Sequence, residues 1–193
     1  MWIELLDGWL SLVRSYENRT GFAQDFSYWY NESPLTGLLG AAAWKLKDGW
    51  SLQEFRAKRR GPSGKFVGRA DLWVGCGATG ATVEAKLLWV EGSLADAQRD
   101  LMKCLAAARE QLQALKGTYR VGEPFSVCYV VPWYAGVDSK DEGRRALSEL
   151  ERWSREDKRM ATAIHRSDKA TEWRKREYPG VLLVAKQEKW SAT

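Results

Sequence analysis

Residues 66–89 carry two runs with strand character around a glycine-rich turn, and Asp71, Glu84 and Lys86 lie inside them as a charged trio, with Arg69 nearby. The first run is Phe66-Val67-Gly68-Arg69-Ala70-Asp71-Leu72-Trp73-Val74, the turn is Gly75-Cys76-Gly77-Ala78-Thr79-Gly80, and the second run is Ala81-Thr82-Val83-Glu84-Ala85-Lys86-Leu87-Leu88-Trp89. Strand side chains alternate between faces. Glu84 and Lys86 therefore share one face, and Val83, Ala85 and Leu87 the other. A two-residue loop at Gly77-Ala78 pairs Cys76 with Thr79 and, counted back, sets Asp71 opposite Glu84 and Arg69 beside Lys86. Directly opposed residues stand roughly 4.5–5.5 Å apart at Cβ. Two carboxylates at that spacing repel, and burying them is costly unless something pairs with them. A divalent cation is the natural partner, and a slip of one residue would destroy the arrangement.

The remaining composition narrows the chemistry by exclusion. The single histidine, His165, rules out H-E-x-x-H zinc hydrolases and multi-histidine nucleases. It lies in a charged segment and reads as a solvated helix residue. The three cysteines, Cys76, Cys104 and Cys128, are far apart and form no C-x-x-C pair, so neither a disulfide framework nor a zinc site is indicated. A reducing cytoplasm is the expected compartment. The N-terminal residues include Glu4 and Asp7 and lack the basic start of a signal peptide. No apolar run approaches the roughly 18 residues that a membrane span needs.

The net charge is +5, and its excess is local. Residues 144–177 hold eleven Lys/Arg against seven Asp/Glu, which is either a surface for a polyanion or a solvated mixed-charge helix. A second cluster, Lys58-Arg59-Arg60 with Lys65 and Arg69, flanks the strand bearing Asp71. Of the eleven tryptophans most belong to the core; Trp73 and Trp89, beside the charged trio, are the candidates for stacking on bases.

The chain of 193 residues is expected to form one domain. Residues 2–14 read as an amphipathic helix, and residues 33–46 as a second, started by Ser33-Pro34 and striped with Leu35, Leu38, Leu39, Ala42 and Ala43. Residues 50–58 fit an edge strand or a short helix equally. Ser93 and Asp96 begin a long helix whose stripe is Leu94, Ala97, Leu101, Leu105, Ala108, Leu112 and Leu115, ending at Gly117. Phe125–Val131, closed by Pro132, is a buried central strand. A helix follows from Ser139, with Leu147, Leu150 and Trp153 on one face, and Val181–Val184 is a last strand. The order predicts an α/β fold of three layers, a mixed β-sheet flanked by helices.

Asp71 followed by Glu84-Ala85-Lys86 on the next strand resembles the PD-(D/E)XK nuclease superfamily, whose restriction-endonuclease-like core runs helix, three antiparallel strands, helix, strand. The likeness covers about residues 30–131, with residues 138–190 as a C-terminal extension of helix and strand. D/E-x-K also occurs at Asp138-Ser139-Lys140 and Glu156-Asp157-Lys158, but only at Glu84 does it sit in an apolar strand with a facing carboxylate. Ala70 stands where the family name records proline. The resemblance implies a Mg²⁺ (or Mn²⁺) site formed by Asp71, Glu84 and the carbonyl of Ala85, with Lys86 as the catalytic lysine assisting the attacking water. It also suggests Glu32, with Glu17 second, as an acidic residue from the first core helix. Gln98 would be the glutamine on the helix after D/E-x-K, although Met102 replaces the tyrosine that usually follows it. Lys58, Arg59, Arg60, Lys65, Arg69 and Gln98 would then contact nucleic acid, DNA foremost.

Three functional classes remain open at this point. The first is a metal-dependent nuclease. The second is a catalytically inactive protein of the same fold, acting as a nucleic-acid- or protein-binding accessory. In the third, the three charges form a buried ion-pair network. The intact trio favours the first. A homodimer or a partner protein supplying specificity is expected, because no dedicated recognition domain is visible.

Overall fold

The computed structural model describes residues 1–20, 25–61, 64–91, 94–115, 117–135, 139–167, 172–173 and 176–191. Ser93 and Asp138, together with part of the basic stretch after Arg166, lie outside them, as do the side chains of Arg60 and Lys65.

The first helix, α1 (Trp2–Thr20), buries Leu5, Leu6, Trp9, Val13 and Glu17, a stripe at helical spacing that lies against α2 (Glu32–Ala43) and the sheet. Trp9 Nε1 donates to the Leu35 carbonyl at 3.2 Å, so its one polar atom is satisfied inside the core. Asn31, not Ser33, caps α2: its side chain accepts from the Ser33 N–H at 3.0 Å. Glu32 is therefore the first residue of the helix rather than a residue outside it, in the turn where a carboxylate is favoured by the helix dipole.

Residues 49–61 settle as a strand. The chain continues through β1 (Gly49–Gly61), β2 (Gly64–Cys76), β3 (Thr79–Val90), α3 (Leu94–Ala114), β4 (Glu123–Pro132), β5 (Tyr134–Ala135), α4 (Ser139–Ser154), β6 (Met160–Arg166), β7 (Glu172–Trp173), β8 (Arg176–Glu177) and β9 (Gly180–Gln187). Six strands form one mixed sheet in the order β1-β2-β3-β4-β9-β6. Only β3 and β4 run parallel, and α3 is the crossover between them. The short β5, β8 and β7 make a separate small sheet. Strand β9 lies between β4 and β6, so β6 and β9 of the C-terminal extension belong to the main sheet.

Alternation along β4 divides the molecule into three layers. Val127, Tyr129 and Val131 face α1 and α2 with Leu5, Trp9, Leu35 and Leu39. Cys128 and Val130 face α3 and α4 with Leu101, Leu105, Leu147 and Leu150. Each such buried aliphatic side chain contributes about 1.5–3 kcal/mol, and a strand covered on both faces explains the continuous apolar run. The fold is thus α/β, a mixed sheet flanked by helices on both sides, as the element order predicts. Among the described residues, no helix is long and apolar enough to cross a membrane.

The β2–β3 turn adopts the anticipated register, with Cys76 paired to Thr79. Gly77 alone takes a positive φ, 57°, the pattern of a turn with glycine at its first central position. At Gly75 a side chain would have no room, because its Cβ would meet the Trp50 ring at 2.3 Å. That ring stands edge-on to Trp73 with centroids 4.3 Å apart, so Trp73 is part of a packed pair. Trp89 packs against Tyr178 in the α1–α2 layer, on the sheet face opposite Glu84, and is not placed to stack on a ligand beside it.

His165 departs from expectation. It lies in β6, 4% exposed, with Nε2 bonded to Glu17 and Ser167 donating to the other Glu17 oxygen at 2.7 Å. It is a buried strand residue, not a solvated helical one, and Glu17 belongs to this interior cluster.

Candidate metal and phosphate site

The site forms where the β2–β3 ladder ends. Its paired positions run from Cys76–Thr79 to Leu72–Val83. The next pair in that register is Asp71 and Glu84. There Asp71 turns its own side chain into the ladder: Oδ2 accepts the Ala85 N–H at 2.8 Å. Beyond this point β1 and β2 continue together as a two-stranded arm, paired as far as Gly61–Gly64. The arm is anchored on the end of α3, where Ala57 and Ala70 pack on Leu112 and Leu115 and Arg59 bridges to Leu115. A cleft of about 620 Å³ opens between arm, sheet and α3, with Asp71, Glu84, Lys86, Glu32, Arg59 and Arg69 in its wall. A smaller hollow of about 140 Å³ adjoins it, sharing Glu32 and Asp71 and adding Glu54.

Asp71, Glu84 and Lys86 therefore meet in one cavity. Glu84 is completely buried. Its Oε1 pairs with Arg59 Nη2 at 2.5 Å, while Oε2 is buried without a hydrogen-bond partner among the described residues. Its pKa is pushed up to about 8, first by burial and then by the charge of Asp71; Arg59 and Lys86 offset this only in part. Lys86 Nζ donates to the Ala85 carbonyl at 2.9 Å and to Gln111 Oε1 at 2.7 Å. The ammonium thus rests on the carbonyl that the resemblance assigns to a metal.

The other predicted residues divide. Glu32 lines both cavities from the start of α2. Glu17 lies in the interior cluster with His165. Arg69 is exposed and pairs with Glu54 at 2.5 Å, and Lys58 is exposed on the arm. Arg59 is only 7% exposed and is engaged by Glu84 and by the carbonyls of Gln111 and Arg69, so it is not a surface contact for flanking phosphates. Gln98 lies 13 residues before Gln111 on α3, about 20 Å along a helix that rises 1.5 Å per residue. The glutamine at the cleft is Gln111. Ala107, Gln111 and Ala114 recur at helical spacing beside the leucine stripe, a pattern that marks a face with small neighbours around one polar group.

Sequence reasoning also passed over Glu54. Its flanking residues pair as Gln53–Leu72 and Phe55–Ala70, which sets it against Asp71, and it takes φ 43°. Among the described residues, no three His, Cys, Asp or Glu side chains converge closely enough to hold an ion on their own. The donor set is two carboxylates and a main-chain carbonyl, all hard oxygens suited to Mg²⁺. The orphaned Glu84 Oε2 is the atom that fits such an ion. Comparisons with family models, curated proteins and solved structures return no match to this chain.

Proposed function

We propose that the chain is a metal-dependent nuclease on the PD-(D/E)XK plan, hydrolysing phosphodiester bonds, with DNA as the foremost substrate and the cytoplasm as its compartment. One observation carries the reading: the carboxylates of Asp71 and Glu84 share a cleft with Lys86, and a buried oxygen of Glu84 lacks a partner. A divalent ion held by Asp71, Glu84 and the Ala85 carbonyl would polarise the phosphoryl oxygen and lower the pKa of water.

The chain's own residues do the rest. Gln111 holds the Lys86 ammonium at the cleft, where it can donate to a phosphate oxygen and stabilise charge that develops there. Glu32, at the N-terminus of α2, faces the same space. Lys58 and Arg69, exposed on the arm, reach phosphates to either side. Specificity beyond this would come from a second copy or a partner protein.

Incubating double-stranded plasmid with Mg²⁺ or Mn²⁺ tests the proposal. Cleavage is expected, and Asp71→Ala and Lys86→Ala should each lower it about a hundredfold or more. Activity that survives both substitutions would overturn it. The Arg59–Glu84 pair favours a second reading, because the guanidinium already supplies a cation to Glu84. In that reading the protein is a non-catalytic accessory, and the same assay would give DNA binding without cleavage.

A further inference from the structure

Arg59 is held by three hydrogen bonds from its guanidinium. Nη1 donates to the Gln111 carbonyl at 2.9 Å, and Nη2 donates to the Arg69 carbonyl and to Glu84 Oε1, the latter at 2.5 Å. The two carbonyls belong to α3 and β2, so the guanidinium is fixed by elements other than the strand that carries Glu84. A guanidinium keeps its charge across the whole accessible pH range. One Glu84 oxygen is therefore committed to a positive charge built into the fold, and only the buried Oε2 remains. Asp71 is half committed as well, through Oδ2 to the Ala85 N–H. Arg59 and Lys86 stand in the same cleft, which Glu32, Arg69 and Glu110 also line, and Arg59 is the cation paired directly with Glu84.

We infer that Arg59 is a tethered cation standing on one Glu84 oxygen where an ion would otherwise sit, so that the Asp71–Glu84 pair accepts at most one divalent ion per chain and that ion binds against the guanidinium. The role of the ion rests on the nuclease reading; the count does not. Like charges close together in a poorly solvated site repel strongly, so removing the guanidinium should tighten binding of an ion.

The test titrates the metal-stripped full chain with MnCl₂ alone and counts bound ions by the loss of the free Mn²⁺ electron paramagnetic resonance signal. One ion per wild-type chain is expected, and binding at least tenfold tighter in Arg59→Gln. Two ions on the wild type, or unchanged or weaker binding in R59Q, would overturn the inference. Near-UV circular dichroism of the tryptophans checks that R59Q folds. If it does not, the wild-type count decides alone, one upholding the inference and none or two sinking it. No ion on the wild type but one on R59Q upholds the role of Arg59 and removes the metal-dependent nuclease. One ion on the wild type without tightening in R59Q does the reverse, and no ion on either protein removes both.

Discussion

At Glu84 two effects act on one carboxyl in opposite directions. Arg59 at 2.5 Å favours the ionised form, whereas complete burial and the nearby Asp71 favour the neutral form, and the second pair wins, taking the pKa to about 8. The unfolded chain would titrate this group near the usual 4.5. Between those values the folded state binds the extra proton and the unfolded state does not, so folding is favoured by acid over this window. The contribution is fully present below about pH 4.5 and is lost as pH rises through about 8, on the order of a few kcal/mol. Urea midpoints measured in a chelator should therefore fall between pH 5 and pH 8, and Glu84→Gln should flatten the profile. A wild-type profile that rises over the same range would contradict the assignment.

Gln111 gives a second measurement at the same scale. Its side chain accepts from Lys86 and its carbonyl from Arg59. Gln111→Ala should lower plasmid cleavage about tenfold through loss of positioning while leaving the Mn²⁺ count unchanged. Asp71, Glu84 and Lys86 were legible because charge inside an apolar strand is conspicuous. Arg59, Gln111 and His165 were not, because their roles rest on contacts 25, 52 and 148 positions away. A buried arginine and a surface arginine look alike until the fold brings a carboxylate to one of them.

Among the elements, those with a clean period were legible. The α3 stripe appears as read, with Leu101, Leu105 and Leu112 buried, and the β2–β3 register follows from the turn. Strand β1 was ambiguous because its outward residues, Gln53, Glu54, Arg56 and Lys58, break the apolar alternation. Strand β6 was missed because two of its apolar residues, Ala161 and Ala163, are small and the flanking charges suggest a solvated helix. Within β1, Glu54 takes φ 43° opposite Asp71, a conformation that costs a non-glycine residue about 1–3 kcal/mol. Glu54→Gly should relieve that strain and keep or raise stability, by up to about 1 kcal/mol. Glu54→Val should lose about 1–2 kcal/mol, since a branched side chain tolerates positive φ poorly. Equal urea midpoints for the two variants would show that the backbone at this position is not strained. The Arg69 ion pair is exposed and lost in both, so it does not distort the comparison.

On the whole molecule the net charge of +5 is spread over two basic regions, and the one on the β1–β2 arm stands at a wall of the cleft. In the region that follows α4 part of the charge is paired in place among the described residues: Arg155 and Arg166 both pair with Glu151, and Arg159 with Asp157. On the β1–β2 arm, Arg56 and Lys58 are exposed and have no acidic partner among the described residues. A phosphate chain bound at the Asp71–Glu84 cleft must pass the arm, because β1 and β2 form one of its walls. Each phosphate neutralised by such a side chain adds about 0.9 to the steepness with which affinity falls on a plot against log salt. Binding of a short DNA duplex in chelator, followed by fluorescence anisotropy across a salt series, separates the two regions. Lys58→Ala should reduce the slope by about one and weaken binding alike for unrelated sequences, whereas Arg152→Ala, on the exposed face of α4, should leave the slope unchanged. The opposite result would move the polyanion to the C-terminal basic region, away from the carboxylate pair, and deprive the nuclease proposal of a substrate at its site.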